Sequence, residues 1–479
     1  MKGINSMKKI NYYSAIILFA TFVIVICFCI VYNAEWILGD DRQCMMFSGS
    51  GIWKPMISSV GGGIAAGRFG PLGHFEYNLL TLIPYGYTPL AHYIFNSCLF
   101  IVLSFLSVYL CLTIIYDNFS KQDVLYGVLL YIFLFIGSQH ILSYIEVQYS
   151  HRVMSIALIC YMLMLYNYLK TKQVRFLFLS FIFVIWNTYN YEVMFCVFAT
   201  IAITYLLFNN NSKVFTWYLY FLVLNAIVYL GIYGLFVYPN IKDSYLGVTS
   251  GWTFLFNVFI WAPQTLVSIV LSLFRFWFII YKKDQMHLFY DSTLFSSAIL
   301  TLSYFVLKQA PKHNYQCVGI LLLPSLCFWG YKFYTEKKQL FVCCVFFFFL
   351  LFIRPIHVFP YTIKNIHYHR KEDMKSVEKA VKRIVDNKAS FVYRPSINHQ
   401  EHKIDRSQAQ FITWYLEYVS KNKIMIDSVK VLDKDKYPTI FLTKYAKNKL
   451  TENEIKYIQL NYDSITVMGD FECVVYEVK

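Results

Sequence analysis

The stretch YYSAIILFATFVIVICFCIV, residues 12–31, followed by YNAEWILGDDR, residues 32–42, decides how this chain is read. The first part carries no charge. At 1.5 Å per helical residue it is long enough to cross the ~30 Å hydrocarbon layer of a bilayer. Lys8 and Lys9 precede it, and basic residues ahead of a span favour the cytoplasmic side. The run is longer than a signal-peptide core, and no A-x-A-like cleavage site follows. It is therefore expected to be a retained first span with a cytoplasmic N-terminus. The second part leaves the membrane and carries two adjacent carboxylates, Asp40 and Asp41, followed by Arg42.

The rest of the chain extends this pattern. It is 57% hydrophobic, 20% aromatic and only 15% charged, where a soluble domain carries about 25% charged residues. Up to about residue 354 the charges fall in short clusters between apolar runs centred near 103, 131, 160, 181, 200, 226, 270, 297, 325 and 346. With the first run these predict about eleven spans. Alternate turns carry Lys121, then Lys170, Lys172 and Arg175, then Lys213, then Lys282 and Lys283, then Lys337 and Lys338. Most fall on the cytoplasmic side if the N-terminus does. An odd number of spans then puts the C-terminus outside. The expected fold is an all-α polytopic membrane domain over residues 1–364, with a first external loop at about 34–88. A small α/β domain outside the cytoplasm follows at 365–479.

The net charge of +15 does not indicate nucleic acid. Many basic residues sit at span ends, where anionic headgroups account for them, and no zinc-ligand spacing or RNP-like motif is present. Most of the twelve cysteines lie in apolar runs and act as small hydrophobes. Cys44 and Cys473 fall in predicted external segments, where a disulfide and two free thiols both remain open.

In the tail, Met374–Asp386 and Ser407–Ser420 have helical spacing, and Phe391–Tyr393 and Thr439–Leu442 read as strands. Thr451 with Glu454 resembles a capping box ahead of Ile455–Leu460. Ile465–Met468 and Glu472–Val478 flank Gly469-Asp470 as a hairpin. No Gly-rich phosphate loop or Ser/His/Asp arrangement occurs there, which suits a lid or acceptor-docking module.

The ionisable residues of the membrane part gather on the predicted external face. The first loop holds Asp40, Asp41, Arg42, Arg68, His74 and Glu76. Later external segments hold Glu146, His151 and Arg152; Asn190 and Glu192; and Lys308, Lys312 and His313. Adjacent carboxylates at an interface repel each other and lose hydration, so the Asp40–Asp41 pair is costly unless a cation, a metal or a proton offsets it. Solvated loop acids, or caps of a short interfacial helix, are the plainer alternative. Arg152 and Lys308 sit at span ends, where basic side chains also reach out to headgroups.

The same first loop closes on Gly67-Arg68-Phe69-Gly70-Pro71-Leu72. This arrangement resembles the GT-C superfamily of membrane glycosyltransferases and, more narrowly, the bacterial O-antigen-modifying glucosyltransferases. Their first external loop carries an Asp-Asp…Arg segment and a later Gly-Arg-x-x-Pro-Leu-like segment. The family's Arg usually stands a little further from the acid pair than Arg42 does. The resemblance implies a glycosyltransferase of the bacterial inner membrane that takes a sugar, glucose or another hexose, from a polyprenyl-phosphate donor. The acceptor would be a lipid-linked or surface glycan such as the O-antigen of lipopolysaccharide. Asp40 and Asp41 would supply the general base, with inversion at the anomeric carbon. Arg68, Arg152, Lys308 and Lys312 would meet the donor phosphate. Arg42, His74, Glu76, Glu146, His151, Glu192 and His313 would contact sugar or acceptor. No cofactor is required; a divalent metal, if one binds, would sit at Asp40 and Asp41.

Two other functions compete. A polymerase or ligase of O-antigen or capsule is also polytopic, but usually places its large loop between later spans and relies on Arg. A lipid-linked-glycan flippase or transporter would be expected to show internal repeats and charges near the midplane, and no convincing repeat is present.

Overall fold

A computed structural model describes residues 2–32, 34–35, 69–73, 80, 88–119, 123–136, 144, 151–208, 212–241, 259, 262–306 and 315–342. It also describes 344–345, 352–353, 356–361, 363–365, 367, 375, 378, 381–382, 391–394, 416, 426–428, 431–442, 448–468 and 473–479. The first run forms α1 (Lys2–Val31), which continues through the basic residues ahead of the predicted span. α2 (Pro89–Phe119), α3 (Val124–Phe135), α4 (His151–Thr171), α5 (Val174–Asn190), α6 (Met194–Phe208) and α7 (Lys213–Ile232) follow. α8 (Pro263–Tyr281), α9 (Leu288–Val306) and α10 (Tyr315–Ser325) come next; a π turn, Leu326–Gly330, leads from α10 into α11 (Tyr331–Glu336).

Local chemistry sets these boundaries. Asp123 caps α3 by accepting from Tyr126 N at 3.1 Å, and Ser212 caps α7 by accepting from Phe215 N; both satisfy amides that the helix itself cannot. Pro263 begins α8, where its missing N–H costs nothing. The α4–α5 and α8–α9 turns each close on a lysine with positive φ, Lys172 at 59° and Lys283 at 50°.

Six described stretches are long and apolar enough to cross a membrane: Asn11–Val31, Pro89–Phe119, Arg152–Thr171, Lys213–Asn240, Pro263–Tyr281 and Gln316–Glu336. α3, α5 and α6 are shorter apolar helices, below the ~20 residues of a full perpendicular span. Burial separates inner from outer helices. Leu158, Ile159, Tyr161 and Met162 of α4 and Ile320–Leu323 of α10 are fully buried. α7 instead exposes Trp217, Phe221, Leu224 and Ile227, and α8 exposes Phe274, Trp277 and Tyr281, the apolar outer surface of a bundle dissolved in lipid.

Small polar residues join the inner helices. Ser292, Thr293, Ser296, Ser297 and Thr301 of α9 are fully buried. Ser296 reaches Val197 O on α6 at 3.2 Å, and Ser268 of α8 meets Thr301 at 3.1 Å. Such residues allow close approach of backbones and bond across helices where the hydrophobic effect gives little drive.

The tail carries a five-stranded sheet of β1 (Phe391–Arg394), β2 (Ile426–Ser428), β3 (Thr439–Leu442), β4 (Tyr462–Met468) and β5 (Cys473–Val478), ordered β2-β1-β3-β5-β4. β1 runs parallel to β2 and β3; β5 runs antiparallel to β3 and β4. α12 (Glu452–Asn461) opens on a reciprocal capping box between Thr451 and Glu454. Ile440, Leu442, Ile458 and Tyr462 form the core beneath it. Most of the two helical patterns at 374–386 and 407–420, and Cys44 with any pairing to Cys473, lie outside the described residues.

Candidate active site

The two ends of the bundle differ in their polar chemistry. One end gathers lysines. Lys170 at the end of α4 meets Asp117 of α2 at 2.6 Å. Asn118 beside it donates to the Tyr290 hydroxyl of α9 at 2.7 Å, and Lys332 lies over the Trp329 ring at 5.5 Å. Here sits Arg275, an arginine inside an apolar helix, with its side chain 8% exposed. Its Nε and Nη2 grip both oxygens of fully buried Asp291 at 2.8 and 3.0 Å. Its Nη1 bonds Asp284, its Nη2 also donates to Gln285 O at 2.6 Å, and the guanidinium lies 4.2 Å over Trp329. Four of the five N–H groups an arginine owns are occupied by the protein itself. This cluster fastens α8 to α9 and leaves little for a ligand. Sequence reading passed over it because one Arg and one Asp vanish in apolar runs; a lone ionisable residue within each run was the available signal.

The opposite end holds what is described of the first-loop motif. Of the Gly-Arg-x-x-Pro-Leu segment, Phe69–Gly73 is described, and it is seated on the bundle. Leu72 N donates to Tyr189 O at 3.0 Å, and Asn190 Nδ2 donates to Leu72 O at 3.2 Å. The Tyr229 hydroxyl of α7 donates to Phe69 O at 2.8 Å. Gly70 is pressed so closely on α5 that an added Cβ would lie 2.8 Å from Asn190 O, so no other residue fits without a shift. Phe69, Tyr189, Phe195 and Tyr229 form one ring cluster around it.

Arg152, in the first turn of α4 at this same end, is fully buried. It does not reach outward to headgroups, as its place at a span end allowed. Its Nη1 donates to Asn96 Oδ1 of α2 at 2.5 Å, and Asn96 Nδ2 donates to Tyr144 O at 3.2 Å. Gln316 of α10 joins the network by donating to the Tyr144 hydroxyl at 2.8 Å. The guanidinium also lies 5.8 Å from the centre of the Tyr144 ring.

Glu192 lies half-buried in the α5–α6 turn, two residues beyond Asn190. His151 begins α4, its side chain outside the description. Asp40, Asp41, Arg42, Arg68, His74, Glu76, Glu146, Lys308, Lys312 and His313 lie outside the described residues. Among the described residues, no group of three or more His, Cys, Asp or Glu side chains is placed to hold a metal ion.

Set against family models and curated proteins, the chain matches none. Its structure is similar to that of ArnT from Cupriavidus metallidurans bound to undecaprenyl phosphate, with a TM-score of 0.52 and 10% identity, over 96% of this chain and 97% of that one. Against the apo state of the same protein the TM-score is again 0.52 at 10% identity, over 97% and 98%. The likeness is one of fold and runs from end to end. The chain thus has a mostly helical fold like that of ArnT.

Proposed function

We propose that this protein is a glycosyltransferase moving a hexose from a polyprenyl-phosphate donor to a glycan acceptor, such as O-antigen or another surface polysaccharide, on the extracytoplasmic face. The observation that carries this reading is the end-to-end likeness in fold to a protein whose structure holds undecaprenyl phosphate. The first-loop motif adds to it. An acid pair follows the first span, and the segment that closes the loop is seated on the end opposite the lysine-bearing turns. By the positive-inside rule those turns are cytoplasmic. The working end, and with it a tail domain at 365–479, would then face outward.

In this reading Asp40 or Asp41 takes the proton from the acceptor hydroxyl as it attacks the anomeric carbon. The bond to the lipid phosphate breaks on the far side, and the configuration inverts. The departing phosphate gains charge that cations must meet. Arg68, Arg152, Lys308 and Lys312 have that role, and Arg152 already has a buried, oriented guanidinium. Arg42, His74, Glu76, Glu146, His151, Glu192 and His313 contact sugar or acceptor.

The test is substitution of the acid pair. Asp40→Asn, Asp41→Asn and the double variant are reconstituted and given a labelled polyprenyl-phosphate hexose with a glycan acceptor. The double variant is expected to lose at least about 100-fold in transfer, the usual size of a general-base contribution, with unchanged thermal stability. Transfer undiminished in all three variants would overturn the reading.

A further inference from the structure

The end of α5 holds two asparagines with capacity to spare. Asn187 is fully buried, and its Nδ2 donates to Phe183 O at 2.9 Å. Asn190 is 4% exposed, and its Nδ2 holds the Phe69–Gly73 turn through Leu72 O. Neither amide oxygen accepts a hydrogen bond among the described residues. Three residues apart, the two side chains lie on one helix face, a turn from each other. Folded proteins leave few buried acceptors empty, and each one calls for an explanation.

The surroundings define what would fill them. Glu192, two residues beyond Asn190, brings a carboxylate. The rings of Phe69, Tyr189, Phe195 and Tyr229 cluster around the seated turn. An anion would be repelled by the carboxylate and by the amide oxygens. A hard cation such as Ca2+ takes six to eight oxygen ligands, more than these three side chains offer among the described residues. A pyranose supplies both features that are wanted: hydroxyl donors for the oxygens and a C–H face for the rings. We infer that Asn187 and Asn190 form a hydroxyl-recognition subsite for the sugar of the donor, beside the seated turn. The inference rests on the transferase reading and names the place where that enzyme grips its hexose.

A purified full chain in lipid nanodiscs tests it by equilibrium binding of two ligands, a short-chain polyprenyl-phosphate hexose and the same lipid phosphate without the sugar. The sugar is expected to tighten binding by about 10- to 100-fold, the product of two hydrogen bonds of ordinary strength. Asn187→Leu should lower that preference by about 3- to 10-fold and leave the sugar-free lipid unaffected. Its thermal midpoint should stay level or rise, because leucine has similar bulk and no empty acceptor. Asn187→Ala should lose the same preference, so the result does not depend on leucine fitting. Equal binding of both lipids by the unaltered protein overturns the inference alone. So does an intact preference in both variants, or equal weakening of both lipids, which would assign Asn187 to structure. Binding of neither lipid overturns the transferase reading as well.

Discussion

At one end of this bundle a buried arginine has its partners supplied; at the other, two buried asparagines keep oxygens to spare. Arg275 spends its donors on Asp291, Asp284 and Gln285 and lies over Trp329. Asn187 and Asn190 each donate one hydrogen bond and leave their acceptors empty. A polar group in an apolar setting is costly in either case. Where the protein meets the whole demand, the group ties helices together. Where it meets half, at Asn187 and Asn190, the proposal is that a sugar completes the set. The Arg275 cluster fastens helices at the lysine-bearing end, which also holds an acceptor without a partner, Asp117 Oδ2.

The largest effect should follow from breaking the fastened end. Asp291→Ala leaves Arg275 buried without its bidentate partner, and removal of one member of such a pair costs about 3–5 kcal/mol. The thermal midpoint in detergent should fall sharply and folded yield with it. A variant as stable as the parent would remove the contrast between the two ends.

Next comes a change confined to the seated turn. Gly70→Ala puts a Cβ against Asn190 O at 2.8 Å, and the turn must move by a few tenths of an ångström or more. Stability should change little, because the turn is small and partly exposed. Transfer should fall by roughly 10- to 100-fold, since displacement of about 1 Å near a reacting group costs up to that much. Unchanged transfer would mean that the turn does not position the site.

The smallest effect is in pH. Asp284, in the α8–α9 turn, has its carboxyl held below the ordinary range by the Arg275 hydrogen bond. His287, in the same turn, has its proton affinity lowered by burial from an ordinary value of 6.5. Both bind protons less tightly folded than unfolded, so both destabilise the fold as pH falls. The decline should begin as pH drops through 6.5 and continue as Asp284 protonates. His287→Gln should flatten the first part of the stability curve between pH 7 and 5 and leave the acid limb. A curve unaltered by that change would separate His287 from the cluster.

Much of the helical layout was legible because hydropathy windows measure what a bilayer measures. The run centres near 103, 131, 160, 181, 200, 226, 270, 297 and 325 all fall within described helices. The span count was less legible, since α5 and α6 are apolar yet short. In the tail, Thr439–Leu442 and the Thr451–Glu454 box stand where the sequence put them. β2 was not read, being three residues with an aspartate at its centre. β4 begins at Tyr462, earlier than the apolar run that marked it. At the candidate site, Gly67–Leu72 was visible as a motif, but the seating of Phe69–Gly73 on Asn190 and Tyr229 was not. Those contacts join residues more than a hundred positions apart, and no local pattern encodes them. Asn187 was hidden for a related reason: an asparagine in Trp186–Asn190 looks like a span end until burial shows its oxygen empty.

The most direct test of the central claim is a cryo-EM map of the full chain with a polyprenyl-phosphate hexose bound and the acid pair changed to Asn. The account predicts lipid phosphate density at the end that seats Phe69–Gly73, with the sugar against Asn187 and Asn190. Phosphate density at the lysine-bearing end, beside Arg275 or Lys332, would contradict it.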